Sequence, residues 1–239
     1  MNIKPKITII TVCKNSSSTL EETIKSIIAQ KYNNIEYIVI DGKSNDGTLS
    51  IIEKYKQHIN LSISEIDKGI YDAFNKGLDL ATGDLIGFVN SDDVLTENAI
   101  DILINYHSRY PDKDFIFGSV RKHWGVLYGY KPYKIYWSWG FYSSHSTGFF
   151  IKNNSAKSVG KYDLKYKYSS DYDYFFRMIV KLKLKGVATK KNEIFGNFRR
   201  GGFSSKVNFT DHFFEEIKIR INNGQNLFLV LFIFIYKFL

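Results

Sequence analysis

Short apolar runs alternate with amphipathic stretches through the first ninety residues, and that order limits the fold more than anything else in the chain. Residues 7–12 form a β-branched run of buried-strand type. Residues 18–30 then place Leu20, Ile24, Ile27 and Ile28 at i, i+4, i+7 and i+8, as one helix face requires. Thr19 and Glu22 make a capping box at its start. Residues 35–40 read as strand. Residues 47–55 read as helix, with Ile51, Ile52 and Tyr55 on one face. Residues 61–66 are a third strand, residues 70–81 a helix through Ile70, Phe74 and Leu78, and residues 85–89 a fourth strand. This β-α-β-α-β-α-β order predicts a parallel sheet covered by helices on both faces. Ligands of such sheets sit at the carboxyl ends of the strands. Asp41, Asp67 and the pair Asp92 and Asp93 fall at those ends.

The pattern loosens further on. A helix is expected over residues 97–110, short strands and aromatic loops over 115–150, and a helix over 172–184 through Phe175, Phe176, Ile179 and Leu182. The chain has 239 residues, a length that favours one large domain. Three prolines and 17 glycines exclude collagen-like or proline-rich disorder. The single cysteine, Cys13, excludes an internal disulfide framework and a cysteine-cluster zinc site, and suits a reducing compartment. No basic stretch followed by an apolar run opens the chain, so no signal peptide is expected. Residues 1–105 hold 10 basic and 15 acidic side chains, net −5, whereas residues 106–239 hold 23 and 9, net +14. A basic half of that kind suits an anionic lipid surface, a phosphorylated acceptor or nucleic acid, or is simply a solvated lysine-rich face.

The turn Asn90-Ser91-Asp92-Asp93 is the sharpest chemical signal. Adjacent carboxylates repel unless a cation or donors hold them. Oxygen ligands in an open loop suit Mg²⁺ or Mn²⁺, which bind through one or two carboxylates plus substrate phosphates. An Asp pair also caps a helix, here the one near Glu97. In the turn from Asp41 to Thr48, glycines allow close approach to a ligand and Asp41 offers an acceptor to a base or ribose. Ordinary turn chemistry with Asp46 as the cap is the other reading. Thr11, Val12 and Asn15 lie at the end of the first strand, the usual floor of a nucleotide pocket.

Five motifs occur in order: Thr11-Val12-Cys13-Lys14-Asn15, the Asp-Gly-Lys-Ser-Asn-Asp-Gly-Thr turn from Asp41, the segment from Asp67 to Gly77, Ala81-Thr82-Gly83-Asp84, and Asn90-Ser91-Asp92-Asp93. The chain resembles the family-2 glycosyltransferases of bacterial surface-polysaccharide synthesis, closest to the colanic-acid and O-antigen branch, over roughly residues 5–205. That resemblance implies a GT-A fold: a Rossmann-like, mostly parallel sheet with helices on both faces and a mixed acceptor-side region. It implies a nucleotide-binding half over residues 1–93, an acceptor-side half over 94–225 and a hydrophobic tail over 226–239.

The resemblance also implies roles. Thr11 and Asp41 match nucleoside-contacting positions, with Val12, Asn15, Ser44 and Ser91 close by. Asp67 and Lys68 match the segment along the nucleotide and its diphosphate. Asp92 matches the last carboxylate of the Asp-x-Asp motif, the ligand of Mn²⁺ or Mg²⁺, with Asp93 as the second contributor because Asn90 stands where many relatives have the first Asp. Asp171 falls on the catalytic-base position, although Ser170 replaces the usual Glu. Asp171 and Asp173 are two positions apart and do not share a helix face, so one faces the cleft while the other caps or braces. His145 and the basic loop Arg199-Arg200-Gly201-Gly202-Phe203-Ser204 border the donor-sugar, acceptor or diphosphate site.

The expected reaction is inverting transfer of a hexosyl residue from a nucleotide-sugar, a UDP-sugar by family expectation. The acceptor is a saccharide carried on a lipid pyrophosphate such as undecaprenyl pyrophosphate. A catalytically inactive nucleotide-sugar-binding protein is the alternative. Nucleic acid is not an expected partner, because the acidic strand ends repel a phosphate backbone. The 13-residue run 227–239, with Lys237 its only charge, extends only ~20 Å as a helix and does not span a bilayer. It lies in the membrane interface, packs on the domain or begins a longer segment. With the basic half upstream, a cytoplasmic protein peripheral on the inner membrane is expected.

Overall fold

The computed structural model describes residues 4–137, 146–199 and 207–238. The strands β1 (Ile7–Cys13), β2 (Ile35–Asp41), β3 (Leu61–Ser64) and β4 (Leu85–Phe88) alternate with helices α1 (Leu20–Ile28), α2 (Thr48–Lys54) and α3 (Ile70–Leu80). Next come β5 (Val94–Leu95), α4 (Ala99–Arg109), β6 (Phe115–Phe117), β7 (Ser119–Lys122), β8 (Gly125–Leu127) and α5 (Lys134–Trp137). The chain continues through β9 (Phe149–Lys152), α6 (Asn153–Val159), α7 (Ser170–Phe176), β10 (Gly186–Ala188), β11 (Ile194–Asn197), α8 (Phe209–Asn222) and α9 (Leu227–Phe238).

Among the described residues, seven strands form the main sheet in the order β10-β6-β9-β4-β1-β2-β3. Its pairs are parallel except that β9 runs antiparallel to both neighbours. The apolar strand residues separate by alternation onto two faces. Ile7, Ile9 and Cys13 pack with α1, α2 and α4, while Ile10 and Val12 pack with α3, α6 and α7. Each fully buried Ile, Leu or Phe stabilises this sandwich by about 1.5–3 kcal/mol. Gly77 lets α3 lie directly on β1: a Cβ there would stand 2.5 Å from Ile10 Cγ2.

The sequence expectation of a mostly parallel sheet covered on both faces therefore matches the structure. Two local expectations differ. Thr19 does occupy the cap position of α1, but makes no side-chain cap bond, and the Glu22 carboxylate instead accepts from the Arg199 guanidinium. A charged donor from a distant segment wins over one neutral amide. The helix expected over 172–184 begins earlier, at Ser170, and after Phe176 widens into a π turn over Arg177–Lys181. The Arg177 guanidinium there reaches the carbonyls of Val159 and Lys161, which holds the widened turn against the preceding loop.

A second sheet, β5-β11-β7-β8, starts immediately after Asp93. Its β11 pairs antiparallel with β5 and delivers Arg199 beside the Asn90–Asp93 turn. The hydrophobic tail forms α9. Val230 and Ile233 are buried, and the Phe234 ring centroid lies 5.5 Å from that of Phe213 on α8. Phe228, Leu231, Phe232, Ile235 and Tyr236 stay exposed on the other side. No helix among the described residues is long and apolar enough to cross a membrane.

Candidate active site

β1 and β4 are neighbours, yet the chain leaves β1 toward β2 and β3 and returns to the other side for β4. The crevice outside their carboxyl ends is a topological switch point, the general ligand position in such sheets. Ser16, after β1, and Ser91, after β4, meet there with their Oγ atoms 2.9 Å apart. This contact joins the loops that follow the two strands.

The β2–α2 turn forms one wall. Asp41 is almost fully buried, and its carboxylate accepts from Ser44 N at 3.0 Å, Ser64 Oγ at 2.6 Å, the Cys13 thiol at 3.7 Å and Ser44 Oγ. Burial, reinforced by the Asp41 charge, pushes the Cys13 thiol pKa far up, so the thiol stays a donor. Ser44 Oγ also accepts from Asn15 N at 2.8 Å, and Asn15 Oδ1 accepts from Asn45 N at 3.0 Å. Asn15 and Lys43 take left-handed backbone (φ 50° and 60°), which turns both loops outward at this point. Gly42 lies under Asp67: a Cβ there would stand 2.3 Å from Asp67 Oδ2. A larger residue there would push the Asp67 carboxylate aside.

Asp67 and Lys68 follow, with Asp67 half-buried and Lys68 exposed. Asp67 Oδ1 accepts from Gly69 N at 3.0 Å, and Lys68 N donates to Asp72 at 3.0 Å. The structure thus gathers Asn15, Ser16, Asp67, Lys68, Ser91 and Asp92 around the β1 and β4 exits. Thr11, Val12, Asp41 and Ser44 sit beneath them. The Thr11 hydroxyl is fully buried and accepts from Tyr37 at 3.1 Å, and Val12 belongs to the apolar core. Those four side chains brace the floor, so an Asp41 that met a nucleoside would compete with donors of its own turn.

The Asn90–Asp93 turn is closed by Asp93 N donating to Asn90 O at 3.0 Å. Asp92 is half-buried. Asp93, expected as a second metal contributor, is 0 % exposed; its carboxylate accepts from Thr147 Oγ1 at 2.5 Å and from Arg199 N at 3.4 Å. That placement makes Asp93 a brace within the protein. Asn90 Nδ2 donates to Ser146 at 2.8 Å, while its Oδ1 is buried with no hydrogen-bond partner among the described residues.

A divalent cation fits this donor set. Asp92 offers one carboxylate and Asn90 one uncommitted amide oxygen, leaving further positions to phosphate oxygens and water, as Mg²⁺ sites commonly do. Among the described residues no group of three or more His, Cys, Asp or Glu side chains is arranged to hold a metal by itself.

Asp171 stands on the first turn of α7, half-buried. Tyr71 OH lies 3.1 Å from Asp171 Oδ1 and 3.0 Å from Tyr168 O, its single proton shared between the two acceptors. Burial first, then the Asp171 charge, pushes the Tyr71 pKa well above its ordinary value, so the phenol remains a donor. Tyr71 begins α3 just after Lys68 and so ties the acid-bearing helix to the crevice wall. Sequence reasoning gave Tyr71 no role, although it sits inside the Asp67–Gly77 motif.

Asp173 is 4 % exposed and fully used: it pairs with Arg177 Nε at 2.8 Å and accepts from Asn223 Nδ2 at 2.8 Å. Of the two acids, Asp173 is the brace, which removes it as an acceptor contact. Ser170, in the place of the usual Glu, is fully buried and donates to Asp163 O at 3.0 Å. Arg199 is held by Glu22. His145 and Arg200 lie outside the described residues.

A two-sheet α/β fold with its polar loops gathered at one switch-point crevice defines the class: a doubly wound protein of the kind that binds nucleotides at the strand ends. The chain belongs to glycosyl transferase family 2, whose model matches residues 8–175. It is 28% identical over 229 residues to an uncharacterized glycosyltransferase of Mycobacterium tuberculosis, covering 84% of this chain and 85% of that one. It is 26% identical over 182 residues to a PGL/p-HBAD biosynthesis glycosyltransferase of Mycobacterium bovis, covering 72% and 69%.

Solved structures share the GT-A fold. S. aureus TarS 1-349 in complex with UDP-GlcNAc superimposes with a TM-score of 0.70 at 17% identity, over 90% of this chain and 66% of that one. A mannosyltransferase from Pyrobaculum calidifontis in complex with GDP-Man and Mn²⁺ gives 0.71 at 17%, over 94% and 66%. Against the longer TarS structure the chain spans 39% of the length.

Proposed function

We propose that this glycosyltransferase transfers a hexosyl residue, with inversion, from a nucleotide-sugar to a saccharide acceptor, within one domain over residues 1–225. The observation that carries the reading is the Ser16–Ser91 contact, which puts the nucleotide-side loops and the Asn90–Asp93 turn on one crevice. The family assignment and the nucleotide-sugar complexes of structural relatives support a nucleotide-sugar donor, with UDP the first to test. Asn15, Asp67 and Lys68 line its path.

Asp92, with Asn90 Oδ1, would hold Mn²⁺ or Mg²⁺ against the diphosphate. When bound, the ion supplies neutralisation of the charge that develops on the leaving nucleotide. Asp171 takes the proton of the acceptor hydroxyl as it attacks the anomeric carbon opposite the diphosphate. The exposed rings of Trp124, Tyr128, Tyr133 and Trp137 offer faces to a saccharide.

The basic second half and the open face of α9 support a lipid-linked acceptor, such as undecaprenyl pyrophosphate, met at the inner face of the cytoplasmic membrane. Calorimetric titration with UDP, with and without Mn²⁺, tests the donor site. Metal-dependent binding that Asp92→Asn abolishes is the expected result. No binding of UDP, GDP or dTDP in either condition would sink the reading.

A further inference from the structure

Three consecutive backbone amides just ahead of Asp171 converge on one carboxylate from a distant helix. Lys167 N donates to Glu215 Oε1 at 2.6 Å, while Tyr168 N and Ser169 N donate to Oε2 at 2.7 and 2.6 Å. Glu215 lies on α8, beyond the residues 8–175 that define the family. His212, one turn earlier on the same helix face, places Nδ1 3.2 Å from Ser169 Oγ. Ser169 is the cap residue of α7, and makes no side-chain cap bond of its own. The first turn of that helix is therefore oriented from outside, by α8.

The middle residue of the trio continues the connection. The carbonyl of Tyr168 accepts from Tyr71 OH, the same hydroxyl that donates to Asp171 Oδ1. A carboxylate that accepts several amides makes short, charge-assisted bonds, each about twice as strong as a neutral one. Such a clamp fixes a loop in a way that packing of Tyr168 alone would not.

We infer that Glu215 is a positioning residue for Asp171: it clamps the 167–169 amides and so sets the start of α7, and with it the Tyr172 N and Tyr71 contacts, at 2.9 and 3.1 Å, that orient Asp171 Oδ1. This rests on the reading of Asp171 as the base. It assigns to the helix outside the family region a share in the geometry of the reaction.

The test of the clamp is spectroscopic and needs no substrate; a transfer assay of Asp171→Asn tests the base reading separately. In protein labelled with [γ-¹³C]aspartate, the Asp171 carboxylate signal is the one that Asp171→Asn removes. Glu215→Ala should raise hydrogen exchange at the Lys167, Tyr168 and Ser169 amides by at least about tenfold, the loss expected for charge-assisted bonds. It should also displace the Asp171 carboxylate signal. Glu215→Gln keeps one carbonyl acceptor and should return part of both effects; it also serves as the variant of record if Ala disturbs the fold. An Asp171 signal that stays in place while the amides loosen would reduce Glu215 to a staple and overturn the inference. Unchanged exchange would overturn it as well. Retained sugar transfer by Asp171→Asn would instead remove the base reading, leaving the clamp itself demonstrated or refuted by the spectra.

Discussion

The two halves of the molecule are organised by different forces. Up to Asp93 the chain is net acidic, α1 and α2 each return to a neighbouring parallel strand while α3 crosses back to the far side of β1, and the crevice loops bond within this half, as in Asp41–Ser44 and Asn15–Asn45. Beyond Asp93 the chain is strongly basic, and its polar side chains are fixed from far away. Arg199 is held by Glu22, Asp173 by Asn223, and the amides before Asp171 by Glu215. Arg220 on α8 is 1 % exposed; it donates to the Tyr136 carbonyl at 2.7 Å and to Gln225 Oε1 at 3.0 Å, with its guanidinium 5.1 Å from the Tyr172 ring. The first half fixes Asn15, Ser16, Asp41 and Ser91 through its own hydrogen bonds. The second is a set of chemical groups whose positions depend on the assembled C-terminal helices.

The largest expected effect separates the halves by function. Asp171→Asn should lower transfer by about 10²–10⁴-fold, the usual contribution of a positioned base, while leaving nucleotide binding intact. Steady-state transfer alongside calorimetry reads both, and a parallel loss of nucleotide affinity would break the division drawn above.

A smaller effect probes how the second half is held. Arg220→Ala removes one donor from each of the Ile135 and Tyr136 carbonyls, which keep Tyr172 OH and Gln225 Nε2, leaves Gln225 Oε1 without the guanidinium, and empties a large buried volume. A loss of about 3 kcal/mol in urea unfolding is expected. Nucleotide affinity should stay within about twofold if the first half is self-sufficient.

The mildest effect belongs to the first half. Burial raises the Glu36 carboxyl, but hydrogen bonds from Lys6, Thr8 and Thr82 outweigh it and hold it down at about 2. A carboxyl lowered in the fold stabilises fully above its unfolded value near 4.5 and loses that contribution as pH falls through about 2. Glu36→Gln should therefore cost about 1–2 kcal/mol at neutral pH and flatten the acid-unfolding slope in that window. Thermal melts between pH 7 and 2 would show it, and an unchanged slope would refute the assignment.

The candidate site was legible in proportion to how local its geometry is. Asp67, Lys68, Asn15 and Ser91 could be read from the strand-end turns, and the crevice does gather them. The division of labour between Asp171 and Asp173 followed from helix spacing, though only Asn223 and Arg177, brought alongside by the fold, decide that Asp173 is the brace. Asp92 and Asp93 are adjacent, so no spacing argument separates a half-buried carboxylate from a fully buried one; Thr147, more than fifty residues away, does that. Tyr71 and Glu215 carried no signal of their own, since a tyrosine on an apolar face and a glutamate on an exposed helix are ordinary features.

Taken by itself, the sequence determined the parallel sheet, the placement of helices on both faces and the strand ends at which the polar turns gather. Those follow from hydrophobic periodicity and short connections, which act within about thirty residues. Tertiary structure alone decided how deeply each carboxylate is buried. It buried Asp93 and Asp173 in hydrogen bonds, left Asp92 and Asp171 half-buried, and brought α8 against the start of α7. The physical reason is that burial and long-range hydrogen bonding depend on what packs opposite a residue, and no pattern along the chain encodes that partner.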